Sequence, residues 1–201
     1  MREEQNIRDV EALGVDMMGF IFWPSSSRYV ATRPNYLPRK CKRVGVYVNE
    51  AIENVLRTAD DYALDYIQLH GNESPEYCAR LQGRHIIKAF NLSSSKDLEK
   101  TADYYGLIDS FLFDTKGHSA GGNGVKFDWT LLDAYAGDTP FLLSGGIAPD
   151  DAERINAFLH RKTEGAHRCI GIDLNSRFEV SPGLKDIAAL RDFLRNMNRN
   201  K

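Results

Sequence analysis

Cysteine is scarce in this chain, and charge is nearly balanced. The three cysteines of the 201 residues, Cys41, Cys78 and Cys169, are odd in number and show no CxxC or Cys/His spacing. That argues against a disulfide frame or a zinc site and predicts reduced thiols, as in a cytoplasmic protein. Lys and Arg total 26 against 28 Asp and Glu, a net charge of −2, so no basic footprint points to nucleic acid. No apolar run reaches the length of a membrane span, and the polar opening residues predict no signal peptide. HExxH, calcium-loop, P-loop and GxSxG patterns are missing, so no metal cluster is predicted. GxGxxG, the mark of a dinucleotide-binding sheet, is missing as well.

What is present is a regular alternation. Hydrophobic residues make up 42% of the chain, enough for a substantial core in a single domain over 1–201. Strand-length apolar runs occur at 17–23, 43–49, 66–70, 85–91, 110–114, 140–144 and 169–174. They are nearly continuous rather than alternating, as expected for strands buried on both faces. Helical patterns lie at 51–63, 75–82, 96–105, 129–136, 149–160 and 184–197. The spacing predicts a strand–helix repeat, hence a parallel sheet with right-handed crossovers. The chain opens with a further helical pattern over 3–13, closed by Gly14, and no strand precedes it. Two architectures fit: an eight-stranded β/α barrel without its first strand, or an open doubly wound sheet. The lack of GxGxxG favours the barrel.

In such a barrel, chemistry sits at the C-terminal ends of strands. Asp114 ends the run Ser110–Asp114, where burial would suit a general acid; an aspartate capping the next turn is the plainer reading. Leu143-Ser144-Gly145-Gly146 and Asp173-Leu174-Asn175-Ser176 end the last two strands in small residues. Backbone N–H groups there can approach an anion closely, so Gly145, Gly146, Asn175 and Ser176 are candidates for a phosphate cradle. Arg28 offers a guanidinium for a carboxylate, or is simply a surface arginine. Gln68 and His70 alternate with Ile67 and Leu69 and share one face, either the polar interior of a barrel or a satisfied core. The glycine-rich stretch 117–125 reads as a lid or as a plain connector.

These residues resemble phosphoribosylanthranilate isomerase, a family of tryptophan biosynthesis. The matching segments begin with Met18–Phe22, Pro24-x-Ser26-x-Arg28-Tyr29-Val30 and Arg43–Asn49. They continue through Gln68–Pro75, Asp114 with the loop to Trp129, Leu143–Ile147, and Gly171–Ser176 with Glu179, and close on Pro182-Gly183-Leu184-Lys185-Asp186. The resemblance implies a β/α barrel and an Amadori rearrangement of N-(5'-phosphoribosyl)anthranilate to 1-(2-carboxyphenylamino)-1-deoxyribulose 5-phosphate without a cofactor. It implies Asp114 as general acid, Arg28 on the anthranilate carboxylate, Asp173 near the ribose hydroxyls, and Gly145, Gly146 and residues 175–177 on the phosphate. Arg177 stands where the family commonly has glycine, so its side chain either turns away from the phosphate or contacts it.

The resemblance also marks an omission. The family opens with a strand ending in a Lys-x-Cys-Gly-Met-like motif, whose cysteine is the implied general base, and Met1-Arg2 align just after it. None of Cys41, Cys78 and Cys169 is placed to substitute. Three outcomes are expected: a biological start upstream, a gap filled by another segment or chain in a monomer or strand-exchanged homodimer, or a barrel distorted around 17–23 and 169–174. Low catalytic activity of residues 1–201 is expected in each. A non-catalytic phosphate-ligand-binding barrel is the alternative function. An indole-glycerol-phosphate synthase would instead need a catalytic lysine, with Lys88 and Lys116 as candidates.

Overall fold

The computed structural model describes residues 1–115 and 129–198. Helix α1 (Glu4–Ala12) leads into strand β1 (Met17–Ile21), and β2 (Lys42–Tyr47) follows. Then come α2 (Ile52–Tyr62), β3 (Tyr66–Leu69), α3 (Pro75–Ala79) and β4 (His85–Leu92). A 3-10 helix over Ser95–Tyr104 precedes β5 (Ser110–Thr115), and another over Trp129–Ala134 precedes β6 (Phe141–Ser144). Helices α4 (Ala152–Leu159) and α5 (Glu164–Arg168) lead to β7 (Cys169–Ile172). A short hairpin, β8 (Glu179–Ser181) and β9 (Leu184–Lys185), and helix α6 (Ile187–Asn198) complete the order.

The seven strands form one parallel sheet in sequence order, β1 to β7. Among the described residues β1 and β7 are its two edges and do not pair with each other. The first helix and the C-terminal hairpin nevertheless meet beyond those edges. Asn6 on α1 donates from Nδ2 to Lys185 O at 2.9 Å and accepts from Lys185 N at 2.8 Å, joining segments 179 residues apart. Seven parallel strands with their helices give a β/α barrel short of one strand, as the sequence predicts.

Both faces of the sheet are covered, which explains the continuous apolar runs. Val44, Ile87, Ala89 and Leu112 pack together on the inner face. On the outer face Tyr47, Ile67, Leu69 and Ile86 pack against Ile52, Val55 and Ala59 of α2 and Cys78 of α3. Burying a residue such as Ile52 or Val55 contributes about 1.5–3 kcal/mol each. Local signals agree. Ser74 Oγ accepts from Tyr77 N at 3.3 Å, with Pro75 in the first turn of α3, and Thr163 caps α5 in the same way.

Four expectations need correction. β1 is not followed by a helix: residues 22–41 contain none, and their backbone instead returns to β1 through Val30 N to Ile21 O at 2.9 Å. Pro24, Pro34 and Pro38 explain this, since each lacks an amide donor and restricts the residue before it. The patterns at 96–105 and 129–136 form 3-10 rather than α-helix. Leu184 and Lys185 do not begin the last helix but pair antiparallel with Ser181 and Glu179. Helix α5 went unread, because five residues are too few to show a helical period. The proposed lid at 117–125 and Lys116 lie outside the described residues.

Candidate active site

Parallel pairing places every strand's C-terminal end on the same rim, and register sets which residues stand side by side. Asn91 of β4 pairs with Asp114 of β5, and Asp114 pairs with Ser144 of β6. Ser144 is followed directly by Gly145 and Gly146, both at positive φ, 96° and 63°. A Cβ at Gly146 would meet nothing within 4 Å, so its backbone conformation, not crowding, is what calls for glycine. Ser144 Oγ donates to Asp173 Oδ2 at 2.9 Å, and Asp173 N donates to Leu143 O at 2.8 Å. Asp114, the glycine pair and Asp173 therefore form one continuous row across β5, β6 and β7.

A second row reaches Asp114 from β3. Gln68 and His70 do share a face, with Gln68 Nε2 and His70 Nδ1 2.8 Å apart. An amide nitrogen only donates, so Nδ1 accepts and the neutral ring carries its proton on Nε2. That nitrogen lies 3.9 Å from Asp114 Oδ2. Burial pushes the His70 pKa below its ordinary value, while Asp114 and Asp173 pull it back. Both side chains are about one-quarter exposed, 28% for His70 and 24% for Asp114, which leaves them open to a ligand.

Beyond Asp173 the chain turns through Asn175 into a 3-10 turn over Ser176–Phe178. Phe178 is buried and anchors the turn, while Asn175, Ser176 and Arg177 are exposed. Arg28 lies outside both rows. Its guanidinium is already engaged by a carboxylate of its own chain, Glu179, with Nε to Oε2 at 2.8 Å and Nη2 to Oε2 at 2.6 Å. Neither Glu179 nor Ser144 carried an assigned role in the sequence reading. A buried carboxylate leaves no mark on sequence pattern, and a serine before two glycines reads only as a small residue.

Lys88 is ruled out as a catalytic lysine. It alternates with the inward-facing Ile87 and Ala89, shares the outer face with Ile86, and is 2% exposed. Its Nζ donates to Glu73 Oε2 at 3.0 Å, Gly71 O at 2.7 Å, and Leu69 O and Ala89 O at 3.2 Å each. Glu73 in turn accepts from Asn49 N at 2.8 Å and Gly71 N at 3.0 Å. This buried cluster frames the loop that carries His70. The cysteines lie away from the rim: Cys41 just before β2, Cys78 in α3, and Cys169 at the start of β7. Among the described residues no group of three or more His, Cys, Asp or Glu is placed to hold a metal ion. No described helix is long and apolar enough to cross a membrane.

Comparison with known proteins places this arrangement. The family model for N-(5'-phosphoribosyl)anthranilate (PRA) isomerase matches residues 1–196. The N-(5'-phosphoribosyl)anthranilate isomerase of Phocaeicola vulgatus is 47% identical over 201 residues, covering 99% of this chain and 95% of its own. That of Parabacteroides distasonis is 49% identical over 205 residues, covering 98% and 90%. Among solved structures, phosphoribosyl anthranilate isomerase from Thermus thermophilus superposes with a TM-score of 0.78 at 28% identity, covering all of both chains. A phosphoribosyl anthranilate isomerase bound to reduced 1-(o-carboxyphenylamino)-1-deoxyribulose 5-phosphate superposes at 0.76 with 29% identity, covering 99% of each. With its barrel sheet, its row of rim residues and these matches along its length, the chain belongs to the N-(5'-phosphoribosyl)anthranilate isomerase family.

Proposed function

We propose that the rim carries out the Amadori rearrangement of N-(5'-phosphoribosyl)anthranilate in tryptophan biosynthesis, an intramolecular aldose–ketose isomerisation. The observation that carries this reading is the register that sets Asp114 across the ladder from Ser144, one residue from the Gly145–Gly146 turn. A phosphate held by the amides of Gly145, Gly146 and residues 175–177 puts a ribose beside Asp114. Asp114 protonates the ring oxygen, the ring opens to a Schiff base, and loss of the C2 proton gives an enolamine that tautomerises to the ketose. Arg28 holds the anthranilate carboxylate, Asp173 faces the ribose hydroxyls, and Gln68 fixes the tautomer of His70 beside the acid. The exposed Arg177 side chain is free to turn outward or to join the phosphate.

None of the three cysteines is at the rim, so these 201 residues supply no thiolate to take the C2 proton. That observation favours the second reading, a phosphate-ligand-binding barrel without turnover. An added strand ending in cysteine and seated between β7 and β1 separates the two. Its isomerase activity is expected to exceed that of residues 1–201 by about 10²–10⁴-fold, the usual contribution of a general base. In that strand-bearing chain, Asp114→Asn is expected to lower kcat by a similar factor. An Asp114→Asn variant within tenfold of its parent refutes the acid assignment. Light scattering on both chains reads whether the β1 and β7 edges are met within a monomer or by strand exchange in a homodimer. Three free cysteines fit a cytoplasmic location.

A further inference from the structure

The hairpin near the C-terminal end has no part in the chemistry above, yet it holds a fully coordinated carboxylate. The Glu179 side chain is 4% exposed. Its Oε1 accepts from Arg28 Nε at 3.0 Å and Gly183 N at 3.2 Å, and Lys185 Nζ lies 3.4 Å from the same oxygen. Its Oε2 takes Arg28 Nε and Nη2. The β8–β9 pairing makes this possible, because Glu179 stands directly opposite Lys185 and Gly183, at φ 84°, closes the turn.

Two consequences follow from elementary geometry. A guanidinium is planar with five donors in fixed directions. With the Nε–Nη2 edge of Arg28 on Glu179, the Nη1 side is held pointing away from that carboxylate, ready for another. Lys185 Nζ also donates to Leu174 O at 3.0 Å and to Asn175 O and Oδ1 at 3.1 Å each. In a trans peptide the C=O and the following N–H are antiparallel. Carbonyls 174 and 175 aimed at Lys185 therefore aim the N–H groups of Asn175 and Ser176 away from it. Burial disfavours the Glu179 carboxylate, but Arg28 and Lys185 more than offset this and leave its pKa below the ordinary glutamate value.

We propose that Glu179 is a positioning residue serving both ends of the ligand: it orients Arg28 toward a substrate carboxylate and holds Lys185 behind the 174–176 turn, so that the turn's amides face a phosphate. The proposal deepens the reading of Arg28 and residues 175–177 given above and rests on it.

The test is calorimetric titration of the full chain with two probes. Reduced 1-(o-carboxyphenylamino)-1-deoxyribulose 5-phosphate carries both groups, and ribulose 5-phosphate carries only the phosphate. Glu179→Gln is expected to weaken the first probe about tenfold or more, the scale of one charge-assisted hydrogen bond, and to weaken the second measurably. Arg28→Met is expected to weaken only the first. In the Arg28→Met background, Glu179→Gln is expected to cost the first probe under threefold more than it costs the second. Glu179→Asp, which keeps the charge and is the fallback should the glutamine variant not fold, is expected to fall between wild type and Glu179→Gln. Wild-type binding with unchanged affinity in both Glu179 variants overturns the proposal alone, as does full additivity with Arg28→Met. Failure of the wild-type chain to bind either probe overturns the proposal together with the reading beneath it.

Discussion

Replacing Lys88 by methionine tests whether the frame beneath the rim is electrostatic. The substitution keeps length and apolar bulk and removes only the ammonium. Lys88 is 2% exposed and its Nζ serves three carbonyls and Glu73. Methionine therefore leaves the buried Glu73 charge without its cation and takes a donor from Gly71 O, its closest partner at 2.7 Å. Breaking a buried ion pair on one side costs about 3–5 kcal/mol. Glu73 keeps its bonds from Asn49 N and Gly71 N, which places the cost toward the lower end. For a domain of this size, each kcal/mol lowers Tm by roughly 2–4 °C, so a fall of about 6–12 °C is expected. Thermal unfolding followed by circular dichroism measures it. The double variant Lys88→Met/Glu73→Gln removes both charges and is expected to be less destabilised than the sum of the two single variants, as coupled neighbours are. A Lys88→Met Tm within about 2 °C of wild type, or strict additivity, refutes the reasoning.

Two further outcomes concern stability. Gly165 of α5 faces Leu132, where a Cβ would come within 1.8 Å of the carbonyl oxygen; Gly165→Ala is expected to cost at least about 1–3 kcal/mol in urea unfolding by overpacking against backbone. Glu179 has a folded pKa below its unfolded value, so its contribution to stability is complete above about pH 4.3 and is lost as pH falls through the folded pKa. Wild-type stability is therefore expected to drop below about pH 4.5 more steeply than that of Glu179→Gln, and parallel pH profiles of the two would exclude this carboxylate as a source of acid sensitivity.

The strands were legible because burial on both faces leaves continuous apolar runs, which is also why their ends shifted by only a residue or two. The connection after β1 was misread because a regular repeat suggested a helix that Pro24, Pro34 and Pro38 forbid. Leu184 and Lys185 continued a helical pattern in sequence; only Glu179 and Ser181 across the ladder make them a strand. In the site, alternation alone placed Gln68 and His70 on one face, and strand ends alone located Asp114 and Gly145. The charged framework was invisible. Lys88 reads in sequence only as a candidate catalytic lysine and Glu73 only as part of a matching segment, and what pairs them is the contact between β4 and the loop after β3. Arg28 reads in sequence as a carboxylate clamp or a surface arginine, and its carboxylate partner lies 151 residues away.

The pleat of β3 and β4 divides labour between alternate residues. Gln68, His70, Ile87 and Ala89 face the interior, whereas Leu69 and Lys88 face the helices. A slip of one position in either strand would exchange the two sets, turning an apolar side chain toward the Asp114 carboxyl and an ammonium into the interior. Shape at this rim therefore depends on faithful alignment of neighbouring ribbons as well as on the groups they carry.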